Sequence, residues 1–331
     1  MSRTIKELEQ LQTQDLDAGL VFSGAASGKV IKGYSAPNSF TPEIDKDYLF
    51  HESSRDMIVW FMSSSEPFYL FGPTGSGKSS LIKQLAAKLN YPVFAITGHG
   101  RLEFQDMVGH LTVEKGNMRF QYGPLALAMK YGGLLLLDEI DLLDSSTAAG
   151  LNSILDGAPL CIAENEGEVI APHPLFRFAA TANTNGGTDE TGLYQGTLRQ
   201  NLAFMDRFWL SEIDYPSPES EGKLLLMKAG HLPAELRTKM VEFAGEVRKL
   251  FMGDNQADFT QSIEVTFSTR TLIRWADLIS RFQPLANQGI QPVSYALDRA
   301  LGYRATKETR SFLHELVQRI FPIESGQKTL P

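Results

Sequence analysis

Between Pro67 and Ala182 the hydrophobic positions fall in short continuous runs rather than in alternation. Pro67–Phe71, Tyr91–Ile96, Leu134–Leu137 and Phe176–Ala182 each predict a strand. Runs that are apolar at every position are buried on both faces, as in a parallel sheet covered by helices. Helical spacing follows the first strand, at Leu81, Ile82, Leu85, Ala86 and Leu89. Two segments read instead as hairpins: Leu111–Phe120, turning at Lys115-Gly116-Asn117, and Leu160–Ile170, turning at Asn165-Glu166-Gly167.

The pattern changes at Tyr215-Pro216-Ser217-Pro218-Glu219-Ser220, a predicted hinge. Beyond it Leu236, Met240, Phe243, Ala244, Val247 and Leu250 share one helical face, and 269–282 and 307–320 predict two further helices. Residues 1 to about 45 predict a short helix, then a weakly patterned stretch with loops at Ser23–Gly28 and Ser35–Ser39. The expected organisation is an N-terminal extension or arm (1–45), an α/β nucleotide-binding domain with two inserted hairpins (46–214), and a small α-helical lid (215–331).

Composition narrows this modestly. A 331-residue chain that is 43% hydrophobic can build a real core. Its one cysteine, Cys161, excludes a disulfide scaffold and fits a reducing compartment. The N-terminal residues contain no apolar signal-peptide core, and no apolar run approaches the roughly 18–20 residues that span a bilayer. A cytoplasmic protein is the expectation. The net charge of -8 argues against a dedicated nucleic-acid binder, while leaving room for a local basic patch.

The chemistry begins at Gly72-Pro73-Thr74-Gly75-Ser76-Gly77-Lys78-Ser79, which fits G-x-x-x-x-G-K-[ST]. Such a loop turns backbone N–H groups inward around phosphates. Its lysine, Lys78, reaches the β- and γ-phosphates, and its hydroxyl, Ser79, is a ligand for Mg²⁺. A strand precedes it and a helix follows, so the helix dipole points at the same anions; Ser80 is counted with the loop. About 55 residues on, the Leu134–Leu137 run ends in Asp138 and Glu139. Asp138 is placed to hold Mg²⁺ and Glu139 to orient and deprotonate the attacking water. Asp141 and Asp144, close by, read as solvated residues at a helix start.

The strand 176–182 ends in Asn183, which can reach the γ-phosphate and the water. Arg207 closes a helical stretch and suits a finger supplied to a neighbouring subunit; Arg199 is the weaker candidate. Ser268 can cap a helix whose first turn holds Arg270, a cation for the phosphates from the lid side, with Arg274 as the alternative. No N-K-x-D element that would read guanine is present.

These features resemble the AAA+ group of MoxR-type ATPases and chelatase motor subunits, most of all the CobS-like subunits of aerobic cobaltochelatase. The likeness runs from about residue 42 onward. It is carried by Pro42–Phe50, Pro172–Arg177, Ala180–Thr184, Thr191–Thr197, Met205–Arg207 and Ser268–Thr271. The resemblance implies an ATP-driven hexameric ring that works with a von Willebrand factor A-type partner, with its nucleotide site on Lys78, Ser79, Asp138, Glu139, Asn183, Arg207 and Arg270. The expected activity is MgATP hydrolysis by a motor that remodels or activates a partner protein. The alternatives are a cobalt or magnesium chelatase motor and a nucleic-acid-dependent ATPase. The six histidines show no metal-ligand spacing, and no DNA-recognition module is visible.

Overall fold

The computed structural model describes residues 5–50, 54–114, 116–187, 194, 196–251 and 264–322. Of the segments singled out above, Lys115, Thr191–Leu193 and Gln195 lie outside the described residues. The chain divides into two compact units, residues 1–73 with 78–213 and residues 74–77 with 214–331.

The first unit opens with β1 (Thr13–Asp17), α1 (Ala18–Ser23), β2 (Val30–Tyr34) and α2 (Ser54–Ser63). There follow β3 (Phe68–Phe71), α3 (Lys78–Lys88), β4 (Val93–Thr97) and α4 (Phe104–Val108). A hairpin of β5 (Gly109–Glu114) and β6 (Asn117–Tyr122) leads to α5 (Pro124–Tyr131), β7 (Leu134–Asp138) and α6 (Ser145–Leu155). A second hairpin, β8 (Leu160–Ile162) and β9 (Glu168–Ile170), precedes β10 (Arg177–Ala182), α7 (Leu202–Met205) and β11 (Trp209–Glu212).

Five of these strands form one parallel sheet in the order β11-β3-β10-β7-β4. The leucines of β7 show why it is buried on both sides. Leu134 and Leu136 pack with Phe68, Leu70, Ala179, Leu81 and Leu85, whereas Leu135 and Leu137 pack with Tyr69, Phe178, Leu125, Met129 and Leu151. Successive residues of a strand face opposite ways, so four leucines serve two cores. Truncating any of them to alanine costs ~2–5 kcal/mol.

Two features differ from the sequence reading. The weakly patterned N-terminal stretch contains an antiparallel pair, Thr13↔Tyr34 to Asp17↔Val30. Ile31 and Tyr34 of that pair are buried, and the Tyr34 hydroxyl donates to the Gly132 carbonyl at 2.7 Å. The sheet also gains an edge strand, β11, whose four residues are too few and too exposed to stand out as an apolar run.

Both expected hairpins are present. One carboxylate joins them: Glu168 of β9 accepts from the Tyr122 hydroxyl of β6 at 2.6 Å, from Lys130 of α5 at 2.7 Å and from Asn165 at 2.6 Å. Burial alone would raise the Glu168 pKa, but the Lys130 and Tyr122 donors outweigh it and hold the group below the usual carboxylate range.

The second unit is helical: α8 (Pro218–Ala229), α9 (Ala234–Phe251), α10 (Thr269–Phe282), α11 (Pro292–Ala300) and α12 (Lys307–Ile320). Its core packs Phe243, Phe267 and Trp275 edge-on or tilted, with ring centroids 5.0–5.5 Å apart. Beside them Glu221, 1% exposed, takes a fork of two bonds from Arg248 at 2.7 and 2.8 Å. The Thr269 hydroxyl adds a third at 2.7 Å. Among the described residues no helix is long and apolar enough to cross a membrane.

Candidate functional site

The parallel sheet brings the carboxyl ends of β3, β7 and β10 side by side, where ligands bind in open α/β sheets. The phosphate loop leaves β3 there. Gly72, at φ +149°, lies so close to the Ile213 carbonyl that any Cβ would overlap it. Lys78 opens α3 and is buried. Its ammonium donates to the Gly72 and Pro73 carbonyls at 2.7 and 2.9 Å and to the side-chain oxygen of Asn183 at 3.1 Å. The loop folds around its own lysine and ties it to the end of β10. Ser80, next on α3, is exposed.

The tip of the loop, residues 74–77, is part of the second unit. Gly75 has φ +75°, and a Cβ there would come 2.5 Å from the Ser268 side chain, so only glycine fits. The Tyr215 hydroxyl donates to the Thr74 carbonyl at 3.0 Å. Ser268 caps α10, accepting from Thr271 N–H at 3.1 Å, and so sets the first turn that carries Arg270. Arg270 and Arg274 are both exposed. The Ser76 hydroxyl is buried and makes no hydrogen bond, an orphaned donor in a loop suited to anions.

Asp138 ends β7 opposite Ser79, whose hydroxyl donates to its Oδ1 at 2.6 Å. The pair are hard oxygen donors with a single carboxylate between them, which matches the sparse protein ligation of Mg²⁺ beside nucleotide phosphates. Among the described residues no group of three or more His, Cys, Asp or Glu side chains could hold a metal ion.

Glu139 follows in the left-handed conformation, φ 58° and ψ 45°. This is an unfavourable backbone for a residue with a side chain, and such strain gathers at functional positions. The turn takes Glu139 off the strand axis and leaves it exposed, unlike the leucines before it. Two contacts support it. Gly98 N–H donates to the Asp138 carbonyl at 2.6 Å, and Glu139 N–H donates to the Thr181 hydroxyl at 3.3 Å.

Two residues of the site escaped the sequence reading. Thr181 of β10 also donates its hydroxyl to Asp138 Oδ1 at 2.9 Å. Register gives the signal that could have found it: Ala180 pairs with Leu137, so the next residues of the two parallel strands are Thr181 and Asp138. Asp141 requires a correction. Expected to be solvated, it is 0% exposed, and its Oδ2 accepts from the N–H groups of Asn183 at 2.8 Å and Thr184 at 3.1 Å and from the Thr184 hydroxyl at 3.3 Å. Burial is the largest influence on its pKa and raises it despite those donors. Asp144 does sit at a helix start, capping α6 through Ser146 N–H at 2.9 Å.

Arg207 lies just beyond α7. Its Nε and Nη2 donate to both oxygens of Asp156 at 2.8 and 3.0 Å, and its Nη1 donates to the Ala203 carbonyl. The hydrogen bond to Asp156 raises its already high pKa further. Arg199 is exposed.

Two family models match the chain. Residues 67–208 match the AAA domain (dynein-related subfamily), and residues 221–320 match the CbbQ/NirQ/NorQ C-terminal region. The chain is similar to the aerobic cobaltochelatase subunit CobS of Sinorhizobium sp, 28% identical over 98% of this chain and 96% of that protein. It is 28% identical to Protein CbbQ of Hydrogenophilus thermoluteolus over 65% of this chain and 74% of that one. Midasin of Dictyostelium discoideum is 34% identical over 65% of this chain, which spans 4% of that much longer protein.

Proposed function

We propose that this chain, an AAA+ ATPase of the MoxR-like family, is the subunit of a ring motor that hydrolyses MgATP to remodel or activate a partner protein. The observation that carries the reading is the convergence of Lys78, Ser79, Asp138 and Asn183 at neighbouring strand ends, through contacts of 2.6 and 3.1 Å. In this reading Gly72, Pro73, Thr74, Gly75, Ser76, Gly77 and Ser80 cradle the nucleotide, residues 46–214 form the nucleotide-binding domain and 215–331 the lid.

The residues divide the work as follows. Lys78 exchanges its carbonyl partners for β- and γ-phosphate oxygens. Ser79 and Asp138 hold Mg²⁺, which when bound neutralises phosphate charge. Glu139 accepts a proton from the attacking water, and Asn183, held against Lys78, orients that water toward the γ-phosphorus. Arg270, or Arg274 one turn on, supplies positive charge from the lid. Arg207 acts on the site of an adjacent subunit, so the active form is a homo-oligomer, a hexamer by resemblance.

The hairpins support an output to a partner. Val113 and Met118 on the first and Val169 on the second are exposed apolar residues, and the Glu168 cluster ties the two hairpins to each other. By resemblance the partner carries a von Willebrand factor A-type domain; the proposed setting, read from the sequence, is the cytoplasm. A second reading, the motor subunit of a cobalt or magnesium chelatase, is supported by the similarity to CobS over 98% of the chain. Metal insertion assayed with candidate partner subunits separates the two, and ATP-dependent stimulation favours the second reading.

The primary test is hydrolysis and assembly together. Glu139→Gln is expected to bind ATP normally and lose turnover by about 10²-fold or more. Arg207→Ala is expected to lose roughly 10³-fold while still binding nucleotide. Full turnover in Arg207→Ala, with no assembly on adding ATP to the wild type, contradicts the ring.

A further inference from the structure

Asp141 is a buried carboxylate that none of the nucleotide chemistry above uses. One of its oxygens, Oδ2, accepts three bonds from the Asn183–Thr184 turn, and the other, Oδ1, is buried and makes no hydrogen bond. The turn has a second tether, because the buried Tyr69 hydroxyl of β3 donates to the Thr184 carbonyl at 3.0 Å. Asp141 also accepts Leu198 N–H on its main-chain oxygen at 2.7 Å, and Gln200 N–H donates to Gly186 at 2.9 Å. The Asn183–Thr184 turn thus hangs on the Asp141 carboxylate, and Leu198, in the segment leading to Arg207, on the Asp141 main-chain oxygen.

A purely structural role fits this arrangement poorly. Burying a carboxylate carries a desolvation cost that a neutral side chain avoids. A single oxygen that accepts two successive backbone N–H groups at once, however, fixes their direction, and what does this is the oxygen's position rather than its charge. The direction matters here. The Asn183 N–H is one bond from the Cα that sets where the side-chain amide points, 3.1 Å from Lys78.

We infer that Asp141 is a positioning residue of the hydrolytic site: its Oδ2 clamps the Asn183–Thr184 turn and thereby aims the Asn183 amide at Lys78 and the γ-phosphate. The inference rests on Asn183 being the γ-phosphate sensor. It assigns Asp141 no contact with nucleotide or metal.

Rescue by the conservative variant tests it. Asn at 141 can place its amide oxygen where Oδ2 lies and its NH₂ where Oδ1 makes no bond, so Asp141→Asn keeps the clamp; Asp141→Ala removes it. Steady-state hydrolysis, ADP binding by fluorescence titration and thermal melting are measured for D141A, D141N, N183A and D141A/N183A. D141A is expected to lose kcat about 10–100-fold with the ADP Kd within about threefold of wild type. D141N is expected within about threefold of wild type, and the double variant no more than about threefold below N183A, because both changes undo one arrangement.

The inference is overturned if D141A keeps full kcat while N183A loses it, or if the double variant shows the product of the two single losses. A loss beyond about tenfold in folded D141N also overturns it, and that result stands even if D141A does not fold. Full turnover in N183A instead overturns the sensor reading itself, a result distinct from the other three.

Discussion

The guanidinium of Arg207 and the carboxylate of Asp156 meet fork to fork, with Nε and Nη2 each donating to its own oxygen at 2.8 and 3.0 Å. Half of the Asp156 side chain faces solvent. An ion pair so exposed is screened by water and salt and holds its partner only weakly. A finger's interaction with a transferring phosphoryl group is orders of magnitude more consequential for rate. Arg207 is therefore rested on Asp156, not locked to it. Asp156→Ala is expected to change ATP turnover by no more than about threefold, against roughly 10³-fold for Arg207→Ala. Parallel turnover assays decide this, and equal losses in the two variants would mean that Asp156 itself belongs to the reaction.

Thr181 offers a test inside the strand ends. Its hydroxyl donates to Asp138 and accepts from Glu139 N–H, so it steadies both carboxylate positions without reaching nucleotide in this reading. Thr181→Val keeps the volume and removes both bonds. Partners that orient a metal ligand are typically worth about 10–100-fold in metal affinity or activity. The Mg²⁺ dependence of hydrolysis is expected to shift to higher concentration by about tenfold. An unchanged Mg²⁺ profile contradicts the role given to Asp138.

What the sequence revealed and hid follows from how local each determinant is. The Gly72–Ser79 loop and the Leu134–Glu139 strand end are set by adjacent residues, so both motifs are legible in the linear order, and the fold brings Ser79 and Asp138 together. Asn183 stands out because it ends the mostly apolar segment Phe176–Ala182. Thr181 lies within that run and gains meaning only from the parallel register that sets it beside Asp138. Asp141 is hidden altogether. Its burial is created by the Asn183–Thr184 turn, more than forty residues away, and an isolated Asp after a strand reads as solvated. The pair β1–β2 is missed for a different reason, since Thr13–Asp17 is polar and largely exposed and shows no apolar alternation.

Acid should weaken the second unit through Glu264. Its carboxylate accepts from Thr306 N–H and the Thr309 hydroxyl, each at 2.7 Å, at the start of α12. Burial opposes ionisation there, but the Thr306 and Thr309 donors prevail and hold the pKa at about 2, below the ordinary 4.5. A depressed carboxylate contributes stability that is fully present above its unfolded pKa and is lost as pH falls through the folded value. The melting difference between wild type and Glu264→Gln is therefore expected to be constant above about pH 5.5 and to shrink steadily toward pH 2. A difference that persists unchanged at pH 2 contradicts this account.

Subunit mixing tests the shared site most directly. In the proposed site, Arg207→Ala keeps Lys78, Asp138, Glu139 and Asn183 but lacks the finger, and Glu139→Gln keeps the finger but lacks the base. Each alone is expected to hydrolyse ATP near background. Mixed in equal amounts and assembled with ATP, they should recover about a quarter of wild-type turnover, the share of interfaces that pair an intact site with an intact finger. A mixture no more active than the sum of its parts, in rings shown to contain both variants, contradicts a finger supplied by the neighbouring subunit.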